Sequence, residues 1–176
     1  MPEPALSADG PATTGLIGFP IAHSLSPALH RAALSTHGLA DRYVLWPTEA
    51  AQLRERVAAL RRPGMRGANV TIPHKSAVLE LVDTIDAVAE AIGAVNTIVR
   101  EADGTLKGLN TDSAGFVAAL RHVGFDPQDS SVVLLGAGGA ARAVAHGLIA
   151  NGASRLTVVN RTPEHAEALL ADLLAT

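Results

Sequence analysis

The sequence predicts an α/β protein in which an open α/β domain comes first and the first part of a second, parallel sheet follows. Strand-like apolar runs alternate with helical patterns along the chain, which favours sheets flanked by helices. Hydrophobic residues make up 48% of the 176 residues and 16 residues are glycine, a composition typical of globular α/β domains. The continuous apolar run Val132–Leu135 predicts a parallel strand that is covered on both faces.

The first helix is predicted from a serine–proline pair. Ser26 before Pro27 is typical of a helix start, with the serine as N-cap and the proline as first helical residue. Gly38 is typical of the residue that follows a helix C-terminus. The residues on the inner face of this helix are predicted to be Leu29, Ala32 and Ala33.

Periodicity and turn residues predict the other elements. The predicted strands are Gly15–Phe19, Tyr43–Trp46, Ala68–Ile72, Ala94–Arg100, Thr105–Leu109, Val132–Leu135 and Leu156–Val159. The predicted helices open at Pro47 with a buried stripe of Leu53, Val57 and Leu60, run at helical spacing from Val78 to Gly93, and cover Ser113–His122, Ala140–Ala150 and Glu164–Leu174. Asp103-Gly104, between two alternating runs, predicts a β-hairpin.

Four segments are predicted along the chain. Residues 1–13 are predicted to be a disordered tail, since they have neither the basic nor the apolar region of a signal peptide. Residues 14–112 form the first domain and residues 113–130 a linking helix and connector. Residues 131–176 form a partial second domain. No apolar run approaches the roughly 20 residues that span a bilayer, so we expect a cytoplasmic protein with no membrane partner.

Composition and spacing argue against several classes of function. A net charge of -3 and a pI near 6.1 argue against a nucleic-acid partner. The chain has no cysteine, and its histidines lack the paired spacing of metal ligands, so no metal site is predicted. His23 lies beside Ser24, but the G-x-S-x-G segment of serine hydrolases is absent.

A glycine turn predicts a dinucleotide site. The segment Gly136–Ala141 fits G-x-G-x-x-A between a strand and a helix, where glycines let a pyrophosphate approach the backbone and the helix N-terminus attracts it. This is the start of a Rossmann-type domain. Arg161 stands where NAD sites usually carry a carboxylate, so NADP is favoured, because arginine pairs with a 2′-phosphate. Arg142 is a second candidate; the alternative is that both are ordinary surface arginines.

Lys75 is the candidate acid/base. It follows a predicted strand and Pro73, at the end of an open sheet where ligands bind. Of 14 basic residues only Lys75 and Lys107 are lysine, and lysine can exchange a proton where arginine cannot. The alternative is a solvated surface lysine. Asp112 is its candidate partner; the alternative is an N-cap of the helix at Ser113, and the two roles are compatible.

Six ordered motifs resemble the shikimate dehydrogenase family from about Gly15 to the last residue. They are Pro20-Ile-Ala-His-Ser-Leu-Ser-Pro27, Gly67-Ala-Asn-Val-Thr-Ile-Pro-His-Lys75, Gly93-Ala-Val-Asn-Thr97, Asn110-Thr-Asp112, Gly136-Ala-Gly-Gly-Ala140 and Asn160-Arg-Thr162. The resemblance implies NADP-linked reduction of 3-dehydroshikimate to shikimate by a monomer or homodimer. It also implies that the first domain binds the substrate and the second is an NADP-binding domain.

The resemblance also implies roles for single residues. Ser24 and Ser26 would hold the substrate carboxylate. Thr71, Asn96 and Asp112 would bind ring hydroxyls, and Lys75 would be the acid/base paired with Asp112. The residues implied to hold NADP are Gly136, Ala137, Gly138, Gly139, Ala140, Asn160, Arg161 and Thr162.

The chain departs from the family pattern in one respect. The family continues well beyond the position of Thr176, completing the nucleotide sheet and adding a glutamine at the substrate. We therefore expect this chain to be a fragment of a longer protein, with strand edges and apolar faces of its second sheet uncovered. Two alternatives stay open: a quinate or quinate/shikimate dehydrogenase, and a fragment that binds ligand without turnover.

Overall fold

A computed structural model describes residues 13–174, which form two compact units. The first unit contains residues 13–85 and 95–109, and the second contains residues 86–94 and 110–174. The predicted tail, residues 1–13, lies outside the described residues except for Thr13, which already belongs to a strand; for that residue the prediction is wrong. The predicted domain limits stay predictions, although the predicted linking helix at 113–130 falls inside the second unit.

The first unit is a mixed six-stranded sheet with helices. Its strands are β1 (Thr13–Gly18), β2 (Arg42–Pro47), β3 (Gly67–Val70), β4 (Thr84–Ile85), β5 (Thr97–Arg100) and β6 (Leu106–Leu109), and its helices are α1 (Ser26–Thr36) and α2 (Leu53–Ala59). Single 3₁₀ turns at Ala50–Gln52 and Ala77–Leu81 complete the unit. The strand order is β2-β1-β3-β5-β6-β4. Both helices lie in the connections between parallel strands, because parallel pairing requires a crossover.

Strand direction brings several segments to one edge of this sheet. β1, β2 and β3 are parallel, whereas β5 is antiparallel to both β3 and β6. Leu16 of β1 pairs with Asn69 of β3, which in turn pairs with Thr97 at the start of β5. The segments that follow β1 and β3, and the segment that precedes β5, therefore meet at the same edge.

The core of the first unit confirms the predicted stripe of α2. Leu53, Val57 and Leu60 are at most 4% exposed, and Ile17 of β1 and Ile98 of β5 are buried as well. The predicted hairpin is confirmed as well, since β5 and β6 pair antiparallel around Asp103-Gly104. Strand β5 begins at Thr97, three positions later than predicted.

Helix α1 corrects the predicted start and the predicted inner face. Ser26 is the first helical residue and its side chain makes no cap hydrogen bond; instead its own N–H donates to the Ser24 hydroxyl. The predicted inner residues are exposed, and Leu29 is 68% exposed. The residues facing the sheet are His30 and Leu34, because they lie one turn apart on the row that begins at Ser26.

Two further predictions are wrong. Strand β3 ends at Val70 rather than Ile72, which is 73% exposed. The continuous helical spacing predicted from Val78 to Gly93 covers three separate elements. A 3₁₀ turn and the two-residue strand β4, which pairs with β6, come before a helix that starts only at Ala87.

The second unit contains four helices and two parallel strands. They are α3 (Ala87–Ile92), α4 (Asp112–His122), β7 (Ser131–Leu135), α5 (Gly139–Ala150), β8 (Arg155–Val159) and α6 (Pro163–Leu174). Asp86 caps α3 by accepting the N–H of Ala89 at 2.7 Å, and Gly93 ends the helix in the left-handed conformation. Ile92 and Ala94 pack against Ala143 of α5.

The sheet of the second unit is covered on one face only. Val133 and Leu135 of β7 are 64% and 77% exposed, and Val159 of β8 is 51% exposed. The prediction that β7 is covered on both faces is therefore wrong within the described residues. The expectation of an uncovered apolar face is confirmed. None of the helices between residues 13 and 174 has the length and apolar character needed to cross a membrane.

Candidate functional site

Two hydroxyls follow β1 at the edge where the strands meet. The Ser24 Oγ donates to the Ser26 Oγ at 3.1 Å, and the same Ser24 Oγ accepts the N–H of Ser26 at 3.2 Å. Both side chains are half-buried. Two adjacent hydroxyls at a helix start can donate to one carboxylate, which accepts hydrogen bonds only.

The segment after β3 carries Thr71 and Lys75 at the same edge. The N–H of Thr71 donates to the carbonyl of Ile17 at 2.9 Å, which ties this residue to β1. The carbonyl of Lys75 accepts the N–H of Val95 at 2.8 Å. The lysine is therefore fixed at its backbone to the segment that leads into β5, and its side chain is half-buried.

The buried side chain of His74 anchors this segment. Its side chain is 2% exposed, and its Nε2 lies 2.7 Å from the carbonyl oxygen of Thr48. Because a carbonyl only accepts, Nε2 carries the proton and donates. Thr48 is 1% exposed and its N–H donates to Gly18 at the end of β1. The loop that carries Lys75 is thus bound to the ends of two other strands.

Asn96 precedes β5 and is 7% exposed. Its side-chain Oδ1 accepts the Thr97 hydroxyl at 2.9 Å, and the Thr97 Oγ1 accepts the Asn69 Nδ2 at 3.2 Å. The main chain of Asn96 accepts from Val70 at 2.7 Å. In the first unit the predicted residues Ser24, Ser26, Thr71, Lys75 and Asn96 therefore all occupy the segments that meet at one sheet edge.

Sequence reasoning missed four residues of this edge: Tyr43, Asn69, His74 and Thr97. Their hydrogen bonds join segments more than 20 positions apart, such as the 2.8 Å bond from the Tyr43 hydroxyl to Asn69 Oδ1. One signal was present for Asn69, since a polar residue between two buried positions of a short strand marks a side chain on the other face.

Asp112 belongs to the second unit. It is the first residue of α4 and the helix has no side-chain cap, so the alternative of an aspartate N-cap is wrong. Its N–H donates to Asn110 Oδ1 at 3.0 Å, and the Asn110 Nδ2 donates to the carbonyl of Ala94 at 2.8 Å. The position of Asp112 is therefore set by a buried asparagine that joins α4 to the end of α3.

The glycine turn of the second unit fits a pyrophosphate. Gly136 has φ +107°, a conformation that favours glycine, and Gly138 is the N-cap of α5 without a side-chain cap. A side-chain carbon added at either glycine would meet nothing within 4 Å, so space for a ligand is open at the backbone. Gly139 and Ala140 begin α5, and Ala137 is half-buried in the turn. Uncapped N–H groups at a helix start are suited to phosphate oxygens.

The segment after β8 carries the residues predicted for the adenosine end. The Asn160 Nδ2 donates to the carbonyl of Thr162 at 2.8 Å, which shapes a turn before α6. Arg161 between them is exposed. Arg142, in contrast, pairs with Asp172 at 2.7 Å and donates to the carbonyl of Ile92 at 3.4 Å. This engagement favours the structural alternative for Arg142.

The acidic side chain of Asp83 is paired in the first unit and is not part of the candidate site. Asp83 forms an ion pair with Arg61 and accepts the N–H of Leu106 at 2.7 Å, and these bonds hold the pKa of Asp83 below its ordinary value. Among residues 13–174 no three histidine, aspartate or glutamate side chains group together as metal ligands.

Two family models match the chain. The model for the shikimate dehydrogenase substrate binding domain matches residues 16–98, and the model for shikimate / quinate 5-dehydrogenase matches residues 118–176. A shikimate dehydrogenase (NADP(+)) from Moorella thermoacetica is 48% identical over 165 residues, which cover 92% of this chain and 56% of that relative.

Solved structures agree with the sequence matches. A crystal structure of a shikimate dehydrogenase in complex with NADP+ has a TM-score of 0.87 at 41% identity, over 97% of this chain and 58% of that one. The Thermus thermophilus shikimate 5-dehydrogenase in complex with NADP(H) and shikimate has a TM-score of 0.83 at 42% identity, over 92% of this chain and 60% of that one. The chain spans about half the length of the curated relatives it matches.

Proposed function

The chain belongs to the shikimate dehydrogenase family, and from that membership we propose that it serves the NADP-linked interconversion of 3-dehydroshikimate and shikimate. The observation that carries the proposal is the single sheet edge of the first unit. There a hydroxyl pair, a lysine and a buried asparagine occupy segments that follow or precede three neighbouring strands. This set suits a small polyhydroxy acid, because it supplies donors for a carboxylate and polar groups for ring hydroxyls.

Each residue has a proposed role in binding. Ser24 and Ser26 donate their hydroxyl protons to the substrate carboxylate. Thr71 and Asn96 bind ring hydroxyls, and Asp112 of the second unit contributes a carboxylate oxygen to the same task. The fixed backbone positions of these residues support the proposal, because a preorganised site spends less free energy on ordering when the ligand binds.

Lys75 is the proposed acid/base. In the reduction its ammonium gives a proton to the carbonyl oxygen, and in the oxidation the neutral amine takes a proton from the hydroxyl. Asp112 is proposed to orient the ammonium. NADPH, when bound, supplies the hydride that reduces the carbonyl carbon. The two anchors of the loop, the backbone bond from Val95 and the side-chain bond from His74 to Thr48, support this role because proton transfer depends on a fixed donor position.

The second unit is proposed to bind NADP. Gly136, Ala137, Gly138, Gly139 and Ala140 are proposed for the pyrophosphate, and Asn160, Arg161 and Thr162 for the adenosine phosphate end. The open space at the two glycines of the turn and the exposed Arg161 support this assignment.

Binding tests the first part of the proposal. Calorimetric titration of shikimate into the 176-residue chain should give saturable binding, and Ser26→Ala should weaken it by about tenfold, the usual loss when a hydrogen bond to a charged group is removed. Ser35→Ala is the matched control, because this serine lies exposed on the same helix. Absence of binding, or equal losses in both variants, would contradict the proposal.

Turnover tests the second part. We propose a hybrid in which the residues that follow the matched region in the Moorella thermoacetica relative are joined after Thr176. NADPH absorbance should rise when this hybrid is given shikimate and NADP+. A hybrid that folds and binds both ligands but produces no NADPH would favour the alternative of a protein that binds without turnover.

Quinate is the second candidate substrate, since the model that matches residues 118–176 is named for both shikimate and quinate. The hybrid allows the two to be compared by kcat/KM with each acid and each cofactor. A higher kcat/KM for quinate would replace shikimate as the assigned substrate while leaving the site residues unchanged.

A further inference from the structure

A one-way series of hydrogen bonds crosses the sheet edge of the first unit, and Tyr43 stands at its centre. The Tyr43 hydroxyl donates to Asn69 Oδ1 at 2.8 Å. The Asn69 Nδ2 donates to Thr97 Oγ1 at 3.2 Å, and the Thr97 hydroxyl donates to Asn96 Oδ1 at 2.9 Å. On the other side, the side chain of Ser26 hydrogen-bonds Tyr43 and accepts from Ser24 at 3.1 Å. The series therefore joins both serines to Asn96.

The position of the Tyr43 ring is independent of these bonds. Its ring stacks on that of His30 with centroids 3.9 Å apart and planes 8° apart, and the side chain is 6% exposed. Burial lowers the pKa of His30, which favours the neutral ring in this stack. The phenol oxygen is thus held at the edge by packing, and its single proton is directed at Asn69.

The direction of the bonds decides which end of each amide faces which partner. A carboxamide has an accepting oxygen and a donating nitrogen, and the two ends exchange when the amide turns over. Because Tyr43 donates to Asn69 Oδ1, Asn69 must present Nδ2 to Thr97. The Thr97 hydroxyl, which accepts from Asn69, donates its own proton to Asn96 Oδ1, and this bond defines Nδ2 as the donor end of Asn96.

We propose that Tyr43 is a positioning residue that sets the amide orientation of Asn96 and links it to the serine pair. This inference rests on the proposed function, in which the serines hold a carboxylate and Asn96 a ring hydroxyl. In this proposal Tyr43 contacts neither the carboxylate nor the ring hydroxyl of the ligand. It makes the site selective for a ligand that accepts a hydrogen bond from Asn96 while its carboxylate lies at Ser24 and Ser26.

The first experiment needs no substrate. In Tyr43→Phe the ring, its volume and its stack on His30 are kept, and only the hydroxyl is lost. We expect the side-chain NH₂ resonances of Asn69 and Asn96 to shift in ¹⁵N spectra, whereas those of Asn151, which donates to Gly147 in the second unit, stay in place. Unchanged Asn96 resonances would overturn the proposal, whether or not the protein binds shikimate.

A second variant tests the order of the series. Thr97→Val removes the bond to Asn96 but keeps the one from Tyr43 to Asn69, so it should shift Asn96 as Tyr43→Phe does. The control is Thr36→Val, which also replaces a hydroxyl by a methyl group; Thr36 is exposed, and its hydroxyl donates to the carbonyl of Ala32 within α1. A shift of Asn96 in this control would indicate a general loosening and count against the series.

The second experiment measures selectivity. Tyr43→Phe should weaken shikimate binding by about three- to tenfold, the range for one lost hydrogen bond. It should weaken binding by less for the analogue that lacks the ring hydroxyl facing Asn96. If shikimate binds the wild-type chain and Tyr43→Phe weakens both ligands equally, the positioning role is wrong while the proposed function stands. If the wild-type chain does not bind shikimate, the proposed function fails and the NH₂ resonances still decide the role of Tyr43.

Discussion

The backbone N–H of Val95 donates to the carbonyl oxygen of Lys75 at 2.8 Å. This bond ties the proposed acid/base to the residue just before Asn96, which is a proposed substrate ligand. The two side chains therefore keep their spacing through main-chain geometry, which varies far less than side-chain rotamers do. Removal of the lysine side chain alone should therefore abolish proton transfer while the backbone positions of the site stay the same.

Lys75→Ala should lower kcat by at least about a hundredfold in the hybrid with the Moorella thermoacetica relative, the usual scale for loss of a general acid/base. The measurement is the rate of NADPH formation at saturating shikimate. Lys107→Ala is the control, because Lys107 is the only other lysine and lies on β6. A kcat near that of the unmodified hybrid in Lys75→Ala would remove the lysine from the mechanism.

Arg161→Ala should raise the KM for NADP+ by about ten- to a hundredfold, since charge-assisted bonds to the 2′-phosphate are lost. The KM for NAD+, which lacks that phosphate, should change little. Arg155→Ala is the matched control, as Arg155 is also exposed but lies at the opposite end of β8. Equal effects of Arg161→Ala on both cofactors would refute contact with the phosphate.

Gly67→Ala should destabilise the first unit by at least about 3 kcal/mol, the upper range for overpacking. A side-chain carbon at Gly67, where φ is +140°, would lie 1.9 Å from the carbonyl oxygen of Ile98. Gly38→Ala separates strain from collision, because Gly38 has φ +65° with nothing within 4 Å, so it should cost about 1–2 kcal/mol. Urea unfolding followed by the fluorescence of Trp46, the single tryptophan, reports on this unit. Equal costs at both glycines would contradict a collision at Gly67.

The ion pair of Asp83 with Arg61 should give the first unit a pH-dependent stability. The pKa of Asp83 is lowered from its ordinary value of 3.8 by its bond to Arg61 and by the N–H of Leu106. The charged form is therefore favoured by folding, so the contribution is complete above pH 3.8 and disappears as the pH falls through the lower folded value. Asp83→Asn should be less stable than wild type at neutral pH.

That difference should shrink below pH 3.8, and urea unfolding at a series of pH values measures it. A difference that stays constant down to the lowest pH would show that the charge of Asp83 has no effect on folding.

Local signals predicted much of the fold because they depend on near neighbours. The hairpin at Asp103-Gly104 needed only a turn pair between alternating runs, and Gly104 does adopt φ +89°. The stripe of α2 needed only helical spacing. The helix predicted across Val78–Gly93 failed because the apolar residues of a 3₁₀ turn, of β4 and of α3 happen to continue one period, while the pairing of β4 with β6 depends on residues more than 20 positions away.

Some residues of the candidate site could likewise be predicted from the sequence, and others could not. Lys75 was predicted from chain order and residue type, since strand ends mark ligand sites in open sheets, whereas the role of the serine pair came from the resemblance to the family. The orientation of Asn96 could not be predicted, because it depends on Tyr43 and Asn69, which are 26 positions apart in the chain. His74 was missed for a similar reason. Its partner is the backbone carbonyl of Thr48, and because every residue has a backbone carbonyl, the residue types give no sign of this bond.

The chain passes between its two units at 85/86, at 94/95 and at 109/110. A segment that begins at Asn110 therefore lacks α3, and with it the packing of Ile92 and Ala94 on Ala143. Recombination at a single breakpoint cannot exchange either unit intact. After a breakpoint at 109/110, for example, α3 stays with the first unit and is missing from the second. An exchange that keeps both units intact therefore needs a breakpoint at each of the three crossings.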